Sequence, residues 1–330
     1  MNNRIFTYIY ILIFTLLSNT IIAQNIMDSI VTSDTTKAVH LSDTNNNITN
    51  QITPDSMQVY YFTLQNDWLY PIPKKILDTT LNEFHYTNPI YKENNIYSSL
   101  GNTGLSSYNL FFSPNTGTGM DYGIHTFDRY LLNEKTLNFY DTDKPYSEIY
   151  YVSAPDKEQI LNFHLNQRVY KSLTIGTDIK IINSVGAYYR QKARDARVSF
   201  KAHYISDNKR YKAIAYYAHS KLDWMENGGI KSDSIFENNV ETDRLIYPIK
   251  LEEANNLIID AEVFLRHSYE LSATKAAADS ISKEKKNLFN FGKLQHEFKY
   301  HRQSLKYTET IKDSTFYQNY YNEFEDRFNT

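Results

Sequence analysis

Polar and apolar positions alternate with a period of two from Leu161 to Tyr217. Leu161, Phe163 and Leu165 interleave with Asn162, His164 and Asn166, and Arg168 falls on the polar side. After Tyr170–Ser172 the pattern resumes, with Leu173, Ile175, Ile179 and Ile181 on one face and Thr174, Gly176, Asp178 and Lys180 on the other. Successive side chains of a strand point to opposite faces, so this spacing predicts half-buried strands, and the short break between the runs predicts a hairpin. Val198, Phe200, Ala202 and Tyr204 begin a further strand, Asp207–Arg210 turns it, and Tyr211–Tyr217 returns. Leu257, Ile259, Ala261, Val263 and Leu265 then oppose Asp260, Glu262, Arg266 and Ser268. Leu294, Phe298 and Tyr300 oppose Gln295, Glu297, Lys299 and His301, with His296 on the apolar side. Pro145–Val152 reads as one more short strand.

The connections have a rhythm of their own. Tyr170–Ser172 and Asp207–Arg210 are short, while Asn183–Ala196 and Asp223–Asn256 are long. Tight turns at one end and long loops at the other are the asymmetry of outer-membrane barrels. The expected fold is therefore all-β, an antiparallel up-and-down meander of an outer-membrane β-barrel over residues 57–330. Ser272–Asn290 breaks the rhythm, and its Ala276–Ala278 and Lys283–Lys286 runs suggest a small helical insertion.

Composition adds to this picture. The 29 Tyr stand beside 18 Phe and 2 Trp, and tyrosine suits sheets and membrane–water boundaries, where one end of the ring is apolar and the other wet. Residues 1–23 read as a cleaved secretory signal peptide: Arg4 is the only charge, Ile5–Leu17 is apolar, and Ala23 supplies the small residue at the cut. That apolar run is short for a transmembrane anchor, which needs about 20 residues. Residues 24–56 are a polar leader, rich in Ser, Thr, Asn and Asp, that cannot bury enough apolar surface to order itself. Losing residues 1–23 takes the formal net charge from -3 to -4, without the basic footprint of a nucleic-acid partner. With no cysteine, an exported chain has no disulfide and no thiolate metal site.

No catalytic, cofactor or metal site emerges from the motifs. Gly117, Gly119 and Gly123 have the wrong spacing for a phosphate loop, and no hydrophobic strand leads into them. His296 and His301 face opposite sides of one strand, and the sequence after His296-Glu297 departs from the H-E-x-x-H zinc pattern. No nucleophile elbow is present.

Five stretches taken together resemble a known family: Asp78–Tyr91, Ser99–Phe112, Pro145–Val152, Asn166–Gln191 and Ser206–Ile230. The most telling pieces are Phe84–Tyr91, Leu100-Gly-Asn-Thr-Gly104, Gly186–Gln191 and Glu226-Asn-Gly-Gly-Ile230. Their order and spacing resemble the outer-membrane porins of the Bacteroidota, over roughly residues 75–268, and the match weakens beyond Leu271. The resemblance implies a β-barrel in the cell outer membrane, in contact with lipid, that passes small polar solutes by diffusion and carries no catalytic residues.

On a barrel of this kind the polar face lines the lumen. Its candidate charged residues are Arg168, Asp178, Lys180, Lys201, Asp260, Glu262, Arg266, Glu297 and Lys299. The signs nearly balance, so no ion selectivity is expected. Two other readings stand beside the pore: a secreted soluble all-β protein that binds through its aromatic face, and an outer-membrane barrel serving assembly or adhesion. The length from Leu81 onward leaves room for about ten strands with long loops, and the charged ending Asp326–Thr330 lacks a clean alternation. The sheet is thus expected to be open, as part of a larger barrel.

Overall fold

The protein is described from a computed structural model, which places residues 59–64, 74–78, 80, 85–91, 97–112, 123, 125–142, 144–238, 243–274, 287–310, 316 and 325–329. The signal peptide, the polar leader, Gly117, Gly119 and the expected helical insertion at 276–286 lie outside these residues.

Five short strands come first: β1 (Tyr60–Thr63), β2 (Lys75–Ile76), β3 (Tyr97–Ser99), β4 (Ser107–Asn109) and β5 (Asn138–Asp141). β2, β1 and β5 form one antiparallel sheet in that order, and β3 pairs with β4. Eight strands then build the main sheet: β6 (Tyr146–Ala154), β7 (Glu158–Tyr170), β8 (Leu173–Ser184), β9 (Ala193–Ile205), β10 (Tyr211–Glu226), β11 (Ala254–Thr274), β12 (Asn287–Glu309) and β13 (Glu325–Asn329). Each pairs antiparallel with its neighbours in the chain, giving an all-β meander with β6 and β13 at its edges. Among the described residues no ladder joins those edges, so the barrel is open. A short helix, α1 (Asp233–Glu237), lies in the β10–β11 connection.

The first hairpin turns where the alternation predicts. Leu161 opposes Ile181, Phe163 opposes Ile179, and Gln167 opposes Ile175. A bulge between Arg168 and Tyr170 precedes the turn and sets Tyr170 opposite Leu173; the extra residue lets both aromatic and leucine share the apolar face. The β9–β10 turn is fixed by side chains. Asn208 Oδ1 accepts from the Arg210 amide (3.0 Å) and the Ser206 hydroxyl (2.8 Å), while Lys209 takes the left-handed conformation (φ 58). These bonds add to the backbone bond from the Lys209 amide to the Ser206 carbonyl (2.8 Å), as Asn side chains commonly do in tight turns.

Three sequence boundaries are corrected. The Asn183–Ala196 connection shrinks to residues 185–192, because β9 begins at Ala193. The Ser272–Asn290 connection shrinks to residues 275–286, because β11 and β12 continue pairing to Thr274 and Asn287. The charged ending forms β13, which pairs with Ser304–Thr308. In all three places ladder bonds carry the strand past the region where polarity alternates cleanly.

The sheet is inverted with respect to a soluble protein. Its apolar face is open: Ile175 and Phe200 are each 40% exposed and Tyr217 42%, whereas Asp178 and Lys201 on the other face are 2% and 4% exposed. Large apolar side chains are normally inside and charged ones outside. Among the described residues no second sheet packs on the apolar face. The polar face is buried because the described residues between Val59 and Thr142, the overlying chain, pack across it. Ile90, Phe127, Tyr130 and Leu131 pack on Ile160, Ile182, Leu222 and Trp224. Phe62, Leu64, Leu137 and Phe139 pack on Ile214, Tyr216, Ala218 and Phe264.

Candidate functional site

The polar face begins with one buried row of pairs. Lys201, from β9, reaches across Gly176 to Asp178 on β8, with its Nζ 2.6 Å from the Asp178 Oδ2. Ser199 donates to the same carboxylate (2.7 Å), and His164 Nδ1 lies 2.8 Å from Oδ1. Gly176 keeps that space free, since a Cβ there would sit 2.1 Å from Asn166 Oδ1 and 3.3 Å from the Lys201 stem. Further along the sheet, Glu262 accepts a hydrogen bond from the Tyr216 hydroxyl and pairs with Lys299 (3.2 Å). Asp260 meets His301 (2.6 Å), and Arg266 donates to Glu297 (2.7 Å).

All nine charged residues singled out in the sequence lie at alternate positions of this one face, Lys180 among them, between Asn162 and Arg197 in the ladder. The structure joins six of them in pairs: Asp178 with Lys201, Glu262 with Lys299, and Arg266 with Glu297. Opposite charges that close on each other leave little field to act on a passing ion. His164 and His301, which the alternation puts on the polar face without singling them out, share this parity, and so do Asp195, Arg197, Ser199 and Ser220, which the sequence pattern leaves unnamed. Among the described residues no group of three or more His, Asp and Glu is arranged to hold a metal ion.

The overlying chain binds this face mostly through its backbone. Lys201 Nζ donates to the Asn138 carbonyl (2.6 Å) and Arg197 to the Tyr130 carbonyl (2.9 Å). Ser220 Oγ accepts from the Leu132 amide (3.2 Å), and Arg168 donates to Asp141 (2.8 Å). Within the overlying chain, Lys74 also binds Asp141. Burial pushes the Tyr130 hydroxyl up to about 12, although it accepts from the Gly104 amide, and burial likewise raises Tyr140. Both stay neutral and add no charge to the face.

A family model described as "Putative porin" matches residues 62–330. The chain belongs to this family. No curated protein and no solved structure matches it. No helix among the described residues is long and apolar enough to cross a membrane.

Two of the porin's distinctive sequence pieces meet at the long-loop end of the sheet. The Leu100–Gly104 turn docks on β8 and β9, where Gly104 (φ +89) leaves room for only 3.2 Å between a Cβ and Ile182 or Ala193. Asn102 donates to Ser184 (2.6 Å), which donates to Glu158 (2.6 Å). Gly186 lies under Asn102 and Gln191, and Gln191 Oε1 accepts from the Tyr188 amide. The same residues border an open cleft of about 590 Å³. A third piece closes the β10–β11 connection: Gly228 (φ +64) packs on Leu251, and Ile230 bridges to Ile249. These pieces seat the overlying chain and the loops.

Proposed function

We propose that the protein is an outer-membrane porin that admits small polar solutes by passive diffusion, with lipid against its apolar face and Arg168, Asp178, Lys180, Lys201, Asp260, Glu262, Arg266, Glu297 and Lys299 turned toward the lumen. The observation that carries this reading is the inverted sheet. The apolar stretch of β8 from Leu173 to Ile181 suits the ~9–11 residues of a tilted membrane strand. It is bordered by Tyr170, Tyr204, Tyr211 and Tyr269 toward the short turns and by Tyr151 toward the long loops, and the apolar runs of β10 and β12 end at Tyr217 and Tyr300, as interfacial aromatic girdles do. On β10 and β12 the apolar run stops at those tyrosines, and Lys221 and Arg302 follow within a few residues; such long stems reach the headgroups. A soluble binding protein would leave this whole face in water, and a bare apolar area of this size invites association.

Purified protein added to a planar lipid bilayer is expected to give discrete current steps that scale with salt concentration and do not saturate with neutral solute. Bilayers that stay silent would argue for an assembly or adhesion role instead.

A further inference from the structure

We propose that a pocket on the polar face, between β11–β12 and the His125–Lys135 segment, binds small solutes that carry an ammonium group. Its place on a solute's path rests on the porin reading, since that face is a lumen only if the opposite face meets lipid. As a binding site it needs no pore.

The pocket holds about 260 Å³, just under the ~300 Å³ at which drug-sized sites begin, and so suits a solute the size of one sugar ring. Glu134 lines it from the overlying chain, and Asp260, Glu262, Lys299, His301 and Gln303 line it from alternate positions of β11 and β12. Charge decides the class of solute. Asp260 has His301 at 2.6 Å, and Asp128 has His125 at 2.9 Å. Glu134 and Glu262 share one lysine, Lys299, at 3.9 and 3.2 Å. The other lysine of the pocket, Lys135, is exposed. Two carboxylates on one ammonium leave a negative charge unmatched. Glu262 is only 2% exposed, where salt screens it least.

Gln303 supplies the second, independent observation. It lines the pocket at 6% exposure, and its side-chain amide has no hydrogen-bond partner among the described residues. An amide this buried is rarely left so, because losing water without gaining a bond is costly. A hydroxyl on the solute can donate to its oxygen or accept from its nitrogen. The solute that answers both features joins an ammonium to hydroxyl groups on one small frame. An anion would be repelled by Glu134 and Glu262, and a neutral sugar would leave the charge unmatched.

Glucose and glucosamine differ at one position, where a hydroxyl becomes an amine. Their binding to the folded full chain in detergent micelles is titrated at pH 7 by saturation-transfer NMR, a readout that needs no current. Glucosamine is expected to bind on the order of tenfold more tightly than glucose. Glu134→Gln keeps the shape of the side chain and removes its charge, and is expected to bring glucosamine down to glucose. Gln303→Met is expected to weaken both sugars. Equal binding of the two sugars by the wild-type protein, or binding of neither, overturns the proposal whatever the variants do. A preference for glucosamine that survives Glu134→Gln, or binding unchanged by Gln303→Met, places the solute elsewhere and overturns it too. Binding beside silent bilayers would remove the porin reading and leave the pocket, whereas current steps without binding would do the reverse.

Discussion

Asp178 and Ile179 are neighbours in sequence and stand in opposite surroundings. Asp178 is held by His164, Ser199 and Lys201 beneath the overlying chain. Ile179 lies on the apolar face between Phe163 and Val198. Alternation assigns each to its face, because strand geometry allows no other order. It does not give the partners: Asp178 is two residues from Lys180 yet pairs with Lys201 of the next strand. That choice depends on the register of β8 against β9, and a slip of one residue reverses every side chain. If Ile179 faces lipid, Ile179→Arg places a charge in the middle of the membrane belt and is expected to lower stability by about 2–4 kcal/mol. Ile179→Leu is expected to stay within about 1.5 kcal/mol. The urea midpoint of the protein folded into lipid vesicles measures both, and equal midpoints for the two variants would mean that no lipid touches this residue.

At the scale of elements, the turns were more legible than the strand ends. The Lys171–Ser172 and Ser206–Arg210 connections fall where polar breaks interrupt the alternation. The ends of β9, β11 and β12 were not legible, since past the apolar belt both faces are polar and periodicity loses its contrast, as at Asn255, Asn256, Thr308 and Glu309. β11 and β12 run to 21 and 23 residues, well beyond the ~9–11 that a membrane demands. The Leu100–Gly104 piece was visible as a glycine-rich turn, but its seat was not. Gly104 combines a left-handed conformation with two apolar neighbours at 3.2 Å, so any side chain there meets both backbone strain and overpacking. Gly104→Val is expected to lift residues 97–112 from β8 and β9, at a cost on the order of 1–3 kcal/mol. Limited proteolysis in vesicles should then cut near Asn102, while the β7–β10 strands remain protected. A digestion pattern identical to wild type would show that this turn does not depend on its glycine.

For the whole molecule, the open meander was foreseeable, and the overlying chain that inserts against its polar face was not. Phe62, Leu137 and Phe139 lie in short runs without sustained alternation, and they find Tyr216 and Phe264 far along the chain; contacts of that range leave no local pattern. The insert nevertheless brings its own charge to the wall at Asp141. Burial opposes ionisation of this carboxyl, but the Lys74 hydrogen bond and the charges of Lys74 and Arg168 outweigh it and hold its pKa below the ordinary carboxylate value. His203 of β9 also faces it. Lys74 belongs to the overlying chain itself and Arg168 to β7, so only the Arg168 part of this shift depends on docking to the sheet. A carboxyl whose pKa is lowered in the folded protein stabilises it at every pH above its ordinary value, about 3.9, and loses that contribution as pH falls through the lowered value. Between pH 5 and 8 the contribution of Asp141 is therefore constant, and it is lost only in stronger acid. Across a pH series, the urea midpoint of the protein folded into lipid vesicles should show no change from this group between pH 5 and 8 and should fall below about pH 4. Asp141→Asn removes the charge that Lys74 and Arg168 bind, so its midpoint should already be lower at pH 7 and should fall less on acidification. An acid fall of the same size in both proteins would place the sensitivity elsewhere, and an Asp141→Asn protein as stable as wild type at pH 7 would mean that this carboxylate does not stabilise the fold.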